Sequence, residues 1–441
     1  MLALQKKMRG ALLIVFSLAL YVQSAAANEP IIAGAQTKGG IYPGAKIFEV
    51  TTLADEGPGS LREAVEQVGP RVVLFKVAGR IELLSSLRVS HPFITIAGQS
   101  APWPGILISG SRLRITTHDV VIQHISIRPH WTGEIPNNAD AISIGTCGDC
   151  GLPPKNILLE NISLSWAIDE NIGTWGEGIS NVSLRASLIA EALRNAGHPK
   201  GAHSMGFLVG KGNKAVEITG NIFTSNNRRN PVLSTGTSSY VANNFIYNPG
   251  QFAVHMFSGE KLATLVRNIV VRGPDSRRDL KWLVLHGPQE NAQIYAASNY
   301  CCERELAGQE AAPIFDAISP PVEANWELIP AGGVVDWTLK FAGSRPAERH
   351  PIDQRIIRDI RLGQGRIIDD PSEVGGYLQP HGEYAESSIS LPSQPFERAG
   401  RLEKLRLEAW LCLRHLKVGG PQSSECSESV EELERALDVG G

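Results

Sequence analysis

Val216-Glu-Ile-Thr-Gly-Asn221-Ile-Phe, Tyr240-Val-Ala-Asn-Asn244-Phe-Ile and Leu265-Val-Arg-Asn268-Ile-Val-Val are three statements of one pattern. Each is a run of strand-forming residues, broken at an asparagine and resumed at once. The asparagines recur about every 23 to 24 residues, the period of a solenoid coil rather than of a sandwich. An asparagine at the same turn of every coil can hydrogen-bond its neighbours above and below, so Asn221, Asn244 and Asn268 are expected to align as a ladder. A fainter copy, Ile157-Leu-Leu-Glu-Asn161-Ile-Ser-Leu, precedes them. Ordinary turn asparagines in an antiparallel protein are the alternative, and the regular period favours stacked coils.

Working outward, short strands are expected from Val72-Val-Leu-Phe through Ile94-Thr-Ile, Leu113-Arg-Ile, Val120-Val-Ile-Gln and Ile125-Ser-Ile, each broken by Gly, His or Asp. The 44 glycines and 27 prolines suit many turns better than long helices. Before the coils, Ser60 with Glu63 three residues on has the spacing of a capping box opening a short helix from Leu61. After Cys302 the pattern fades: residues 303–343 read as loop, Pro351 to Ile360 as a short helix or strand, and Ser388 to Pro395 as a linker. Phe396 to Val418 and Val430 to Leu437 have helical spacing, and this tail reads as a structural appendage. The chain thus divides into 1–27, a leader; 28–382, the coils and their wrapping segments; and 383–441, linker and tail.

The leader carries Lys6, Lys7 and Arg9, then an apolar stretch from Ala11 to Val22 too short to span a bilayer comfortably, then Ala25-Ala26-Ala27 as a cleavage site. An exported protein, secreted or periplasmic, with no membrane attachment after cleavage is expected, and as a monomer. Six cysteines in such a chain favour disulfides, in any of 15 pairings; Cys147-Gly-Asp-Cys150 reads as a local staple ahead of half a zinc site or a redox pair, and the Cys412–Cys426 spacing suits a bridge between two helices. The formal charge is −3, and removing three bases with the leader takes it to about −6. Net charge therefore attracts neither nucleic acid nor any other polyanion; an acidic partner must be held by a local basic cluster or a bound cation.

Such a combination exists. Asp140 opens a short strand, Asp169-Glu170 follows Trp166, and bases come later: His198-Pro-Lys200-Gly-Ala-His203, then Asn227-Arg228-Arg229-Asn230-Pro231. Grouped oxygens suit a hard cation and clustered Lys and Arg suit an anionic substrate. If the segments stack as coils, these residues share one wall, and chemistry on an acidic polymer follows.

The residues also carry a family resemblance. Val50-Thr-Thr-Leu-Ala-Asp-Glu-Gly-Pro-Gly-Ser-Leu-Arg-Glu-Ala-Val65, Ile94-Thr-Ile-Ala-Gly-Gln99, Ile122-Gln-His-Ile-Ser-Ile-Arg128, Asp140-Ala-Ile-Ser-Ile144, Ser163-Leu-Ser-Trp-Ala-Ile-Asp-Glu170 and Arg229-Asn-Pro231 together resemble pectate lyase-like proteins, over roughly residues 40 to 300. The resemblance implies an all-β, right-handed parallel β-helix with a short helical tail, and Ca2+-assisted β-elimination of polygalacturonate. It implies Asp140 and Asp169 as calcium ligands, with Glu170 as a third. Where the family commonly places another acid, four residues after the second aspartate, this chain has Gly173. Lys200 resembles the family's substrate-binding lysine and Arg229 the arginine assigned as base, with Lys200 the more ordinary alternative because lysine pKa values shift readily. His198, His203, Arg228 and Asn230 are expected to contact substrate. Ser234 stands where the family has a second arginine. A non-catalytic carbohydrate-binding protein and a glycoside hydrolase on the same scaffold are the other readings; hydrolysis gives no reason for the Lys/Arg cluster.

Overall fold

The computed structural model describes residues 29–42, 44–131, 133–147, 151–302, 304–305, 317–377 and 401–438. The leader, the linker, and the Cys147–Cys150 staple at its Cys150 end lie outside these. The chain coils through three sheets in fixed order, as in Lys155–Glu160 to the first, Ser163–Ser165 to the second and Glu170–Trp175 to the third. The first and second sheets have ten strands and the third eight. Strands one coil apart pair in parallel, giving a parallel β-helix; among the described residues only Tyr300–Cys301 with Arg304–Glu305 runs antiparallel.

Register explains why these sequences stack. Ile96, Ile122, Leu159, Leu184, Ile218, Val241 and Leu265 lie directly above one another in the first sheet. All point into one interior column running from Val50 to Cys301. Each coil buries its apolar face only against the next, so the repeat is the unit of stability. Helix Leu61–Glu66 closes one end of the column. Ser60 Oγ accepts from Glu63 N at 3.1 Å, while Glu63 reaches past the cap to Gly59 N at 2.7 Å.

The asparagine ladder forms. Oδ1 of Asn244, Asn268 and Asn299 accepts the backbone N–H of Asn221, Asn244 and Asn268 respectively, at 2.9–3.1 Å. Ser187 continues it below Asn221 at 2.9 Å. Asn161, which the faint repeat placed in the series, stands one position early. It occupies the bend at φ 49°, shared by Asn243, Arg267 and Ser298 at 52–55°. The coil spacing is also less uniform than 23–24: adjacent rungs lie 23, 24, 25, 31 and 34 residues apart. The surplus is loop, because the strands keep their register. Asn244→Ala is expected to cost roughly 2–4 kcal/mol, since it strips partners from Asn221 N, Asn221 Nδ2 and Ile218 O in a fully buried ladder. Urea unfolding measures it; a loss under about 0.5 kcal/mol would make the ladder dispensable.

The segments outside the coils hold more structure than their composition suggests. Ile31–Ala33 pairs in parallel with Val322–Ala324, and Val334–Phe341 is helical where loop was expected. Pro351–Arg361 is a helix, N-capped by His350, whose Nδ1 accepts from Ile352 N at 3.2 Å. Its Ile352, Ile356, Ile357 and Ile360 cover the outer face of the second sheet at Leu188, Ala190, Ile222 and Phe245. In the tail, helices Arg401–Lys417 and Ser424–Asp438 are joined by Cys412–Cys426, and Cys301 bonds to Cys302. Leu407 and Leu411 pack on Val72, Leu74 and Ala97 of the first sheet.

Candidate active site

Every expected site residue except Glu170, which opens strand Glu170–Trp175, stands in a segment leading from the second sheet into the third, on successive coils. Asp140 precedes strand Ile142–Gly145, and Asp169 precedes Glu170–Trp175. His198, Lys200 and His203 precede Met205–Val209; Arg228, Arg229 and Asn230 precede Val232–Leu233. Left-handed residues Trp166, Glu191 and Ser225 (φ 68°, 48° and 54°) end the second-sheet strands and aim these segments outward. Behind them, Trp166 Nε1 donates to Glu191 Oε2 at 3.1 Å, and Arg355 from helix Pro351–Arg361 grips both Glu191 oxygens at 2.6 and 2.7 Å. Reading the sequence overlooked Glu191 and Arg355, which lie 164 residues apart and share no motif.

Carboxylate oxygens of Asp140, Asp169 and Glu170 lie within 4.8 Å of one another. Neighbours on a strand face opposite ways, but Asp169 sits just before the strand begins, which lets both acids of the Asp169-Glu170 pair turn to one side. Burial and the adjacent Asp169 push the Asp140 carboxyl up to about 7, against Arg112, a hydrogen bond from Ser143, and Arg229. Burial likewise raises Asp169, opposed by His203, His198, Arg229 and Lys200. Three crowded, desolvated acids make a donor set that gains from a hard divalent cation. Gly173 borders the same cluster: a Cβ there would lie 3.6 Å from Asp140 Oδ2 and 3.9 Å from Glu170 Oε2, ordinary contact distances.

Arg229 crosses to this cluster and ion-pairs with Glu170. It adopts φ 62°, uncommon for a side chain of its size. Burial lowers its pKa, with Asp169 and Asp140 pulling the other way. Arg228 is half-buried and Lys200 exposed at its loop tip.

The two histidines, expected to contact substrate, lie against Asp169. Their side chains are only 1% and 7% exposed, and their Nε2 atoms stand 3.7 Å (His198) and 3.3 Å (His203) from the Asp169 oxygens. Lys200 N donates to His198 Nδ1 at 3.1 Å, which leaves the proton of a neutral ring on Nε2, facing Asn137 O at 3.1 Å and Asp169. Asn230, also expected to contact substrate, is turned inward. It is 1% exposed, takes Asn226 Nδ2 at 3.1 Å and donates to Phe252 O at 3.3 Å. With Asn171 it builds a second, inward asparagine chain that holds the turn carrying Arg229.

Comparison with known proteins agrees with this architecture. A protein of Aspergillus terreus named probable pectate lyase C is 31% identical over 351 residues, covering 75% of this chain and 77% of that one. Its namesake from Aspergillus flavus is 28% identical over 350 residues, with 75% and 77% covered. A solved Bacillus subtilis pectate lyase bearing an arginine-to-lysine change shares the fold, with a TM-score of 0.50 at 10% identity over 70% of this chain and 94% of that one. No family model matches the chain. Identity of 31% sustained across three quarters of both chains, on the fold described above, means that the chain belongs to the pectate lyase family.

Proposed function

We propose that this protein is an exported, calcium-dependent lyase that cleaves pectate by β-elimination. The observation that carries the reading is the meeting, on one wall, of three buried acids with Arg229 and the Lys200 loop. Asp140, Asp169 and Glu170 would hold the ion, with His198 and His203 fixing the Asp169 carboxylate from behind. When bound, calcium would draw charge from the uronate carboxylate and so make the adjacent C5 proton more acidic.

Arg229 accepts that C5 proton. The electron pair of the C5–H bond becomes the C4–C5 double bond, and the C4–O bond breaks with its pair leaving on the glycosidic oxygen, which takes a proton from solvent. To accept a proton Arg229 must first be neutral, and its pairing with Glu170 opposes that. Glu170 cannot serve both Arg229 and a cation in full, so carboxylates that hold a cation would loosen the contact that keeps Arg229 protonated, and the proton that Arg229 releases passes to solvent. Burial of Arg229 works in the same direction. Lys200 and Arg228 bind the substrate carboxylates and the charge that develops beside C5. Export rests on the basic, apolar and small-residue order of residues 1–27.

Mass spectrometry of the products on polygalacturonate tests the reaction class. Elimination yields a new end lighter by one water than hydrolysis does; fully hydrated ends, or an uncleaved polymer, would overturn it. Gly173 offers a test of the ion site. Gly173→Asp adds a carboxylate where space exists, and calcium is expected to bind about tenfold tighter by isothermal calorimetry. Unchanged or weaker binding would place the ion elsewhere.

A further inference from the structure

Outside the acid and arginine cluster, one group of side chains in the third sheet has no use in the account so far. The register of that sheet lines up Ser143, Gly173, Leu208, Val232, His255 and Val284 as one row. The alternating residues Ile142, Ile144, Ile172, Phe207, Val209, Leu233, Val254 and Met256 belong to the interior column, so this row faces outward. Gly173 marks the carboxylate end. His255 lies three strands further along and one strand past Val232, which directly follows the Arg228–Pro231 turn. At about 4.8 Å per strand, His255 is roughly 14 Å from the Gly173 position and one coil beyond the arginines.

His255 is 3% exposed, and its Nδ1 is hydrogen-bonded to His286 Nε2 at 3.0 Å. Its Nε2 is buried and has no partner among the described residues. A buried polar nitrogen left unpaired costs free energy, and a ligand that supplies a partner there recovers it. Phe252 and Phe257 flank the imidazole at 5.7 Å each, and the His286 ring at 5.1 Å; all three are half-buried on the surface. For a ligand to reach Nε2, these rings must turn aside. Burial, His286, Arg229 and Arg228 together lower the His255 pKa to about 3, so the ring is neutral.

A neutral imidazole between aromatic faces, beside two guanidinium groups, matches a uronic acid residue. The apolar face of a pyranose covers the rings, its carboxylate turns toward Arg228, and a hydroxyl meets Nε2. A hydroxyl both donates and accepts, so it satisfies Nε2 in either tautomer. We infer that His255, held by His286 and flanked by Phe252 and Phe257, is the floor of a sugar subsite one coil beyond Arg229, binding the uronate next to the residue that reacts. This inference rests on the pectate lyase reading.

The test uses galacturonate oligomers of increasing length, with KM, kcat and product lengths measured for the unaltered protein, His255→Ala, His255→Gln and Phe257→Leu. His255→Ala is expected to raise KM about tenfold for oligomers long enough to reach the subsite, to leave shorter ones unchanged, and to shift the position of cleavage. Glutamine, which also donates and accepts, restores part of the loss. Phe257→Leu gives the same length-dependent rise without disturbing the histidine pair, and serves if His255→Ala does not fold. If the unaltered protein neither binds nor cleaves any oligomer, the pectate lyase reading falls and the inference with it. If it cleaves them and the variants match it at every length, the inference alone is overturned.

Discussion

Arg229→Ala is expected to lower kcat on polygalacturonate by roughly three orders of magnitude while the protein stays folded, if Arg229 is the proposed base. The size follows from the role: a positioned base contributes about 10²–10⁴ to a proton transfer. Folding survives because the turn carrying Arg229 is held by backbone and by Asn226 and Asn230, not by the guanidinium. Arg229→Lys is expected to be nearly as slow. It keeps a cation, but loses the planar fork that spans to Glu170 and falls short of the same point in space. Lys200→Ala, in contrast, should raise KM as well as lower kcat, because an exposed lysine at a loop tip holds substrate. Steady-state kinetics on the three variants separates the roles. Near-normal turnover in Arg229→Ala together with none in Lys200→Ala would move the base to Lys200.

The second large effect is on stability. Asp353→Ala should cost about 3–5 kcal/mol, read as a lower denaturation midpoint at an unchanged denaturant slope. Asp353 and Arg128 are paired with both side chains fully buried, between helix Pro351–Arg361 and the start of the segment that carries Asp140. The other Asp353 oxygen accepts from Ser163 Oγ at 2.6 Å. Removing the carboxylate strands a guanidinium whose Nε and Nη1 already lack partners among the described residues, and which lies 5.8 Å from the Trp166 ring. The same helix supports Glu191 through Arg355, so activity should fall in step with the folded fraction rather than through kcat. A loss under about 1 kcal/mol would mean that the helix is only draped on the sheet.

The sequence was legible for some of these residues and not for others. Asn221, Asn244 and Asn268 were readable because a ladder requires one residue type at one spacing. Asn161 misled because a left-handed bend accepts asparagine as readily as the ladder does, and the two positions are adjacent. Asp140, Asp169 and the arginines were found by motif and by the expectation that coils stack. The direction of Asn230 was not legible for a reason of geometry: it depends on a bend at Arg229 that no local pattern announces. Glu191, Arg355, Asp353 and His255 carry no periodicity, and only the folded coils bring their partners beside them.

The most direct measurement is ultraviolet absorbance of polygalacturonate digests with calcium, after chelation, and after calcium is restored, run in parallel for the unaltered protein and Asp169→Asn. The account predicts a rising absorbance from unsaturated product that stops with chelator and resumes with calcium, and little or none in Asp169→Asn at the same calcium concentration. Cleavage without the chromophore, or absorbance that rises equally in chelator and in the variant, would contradict it.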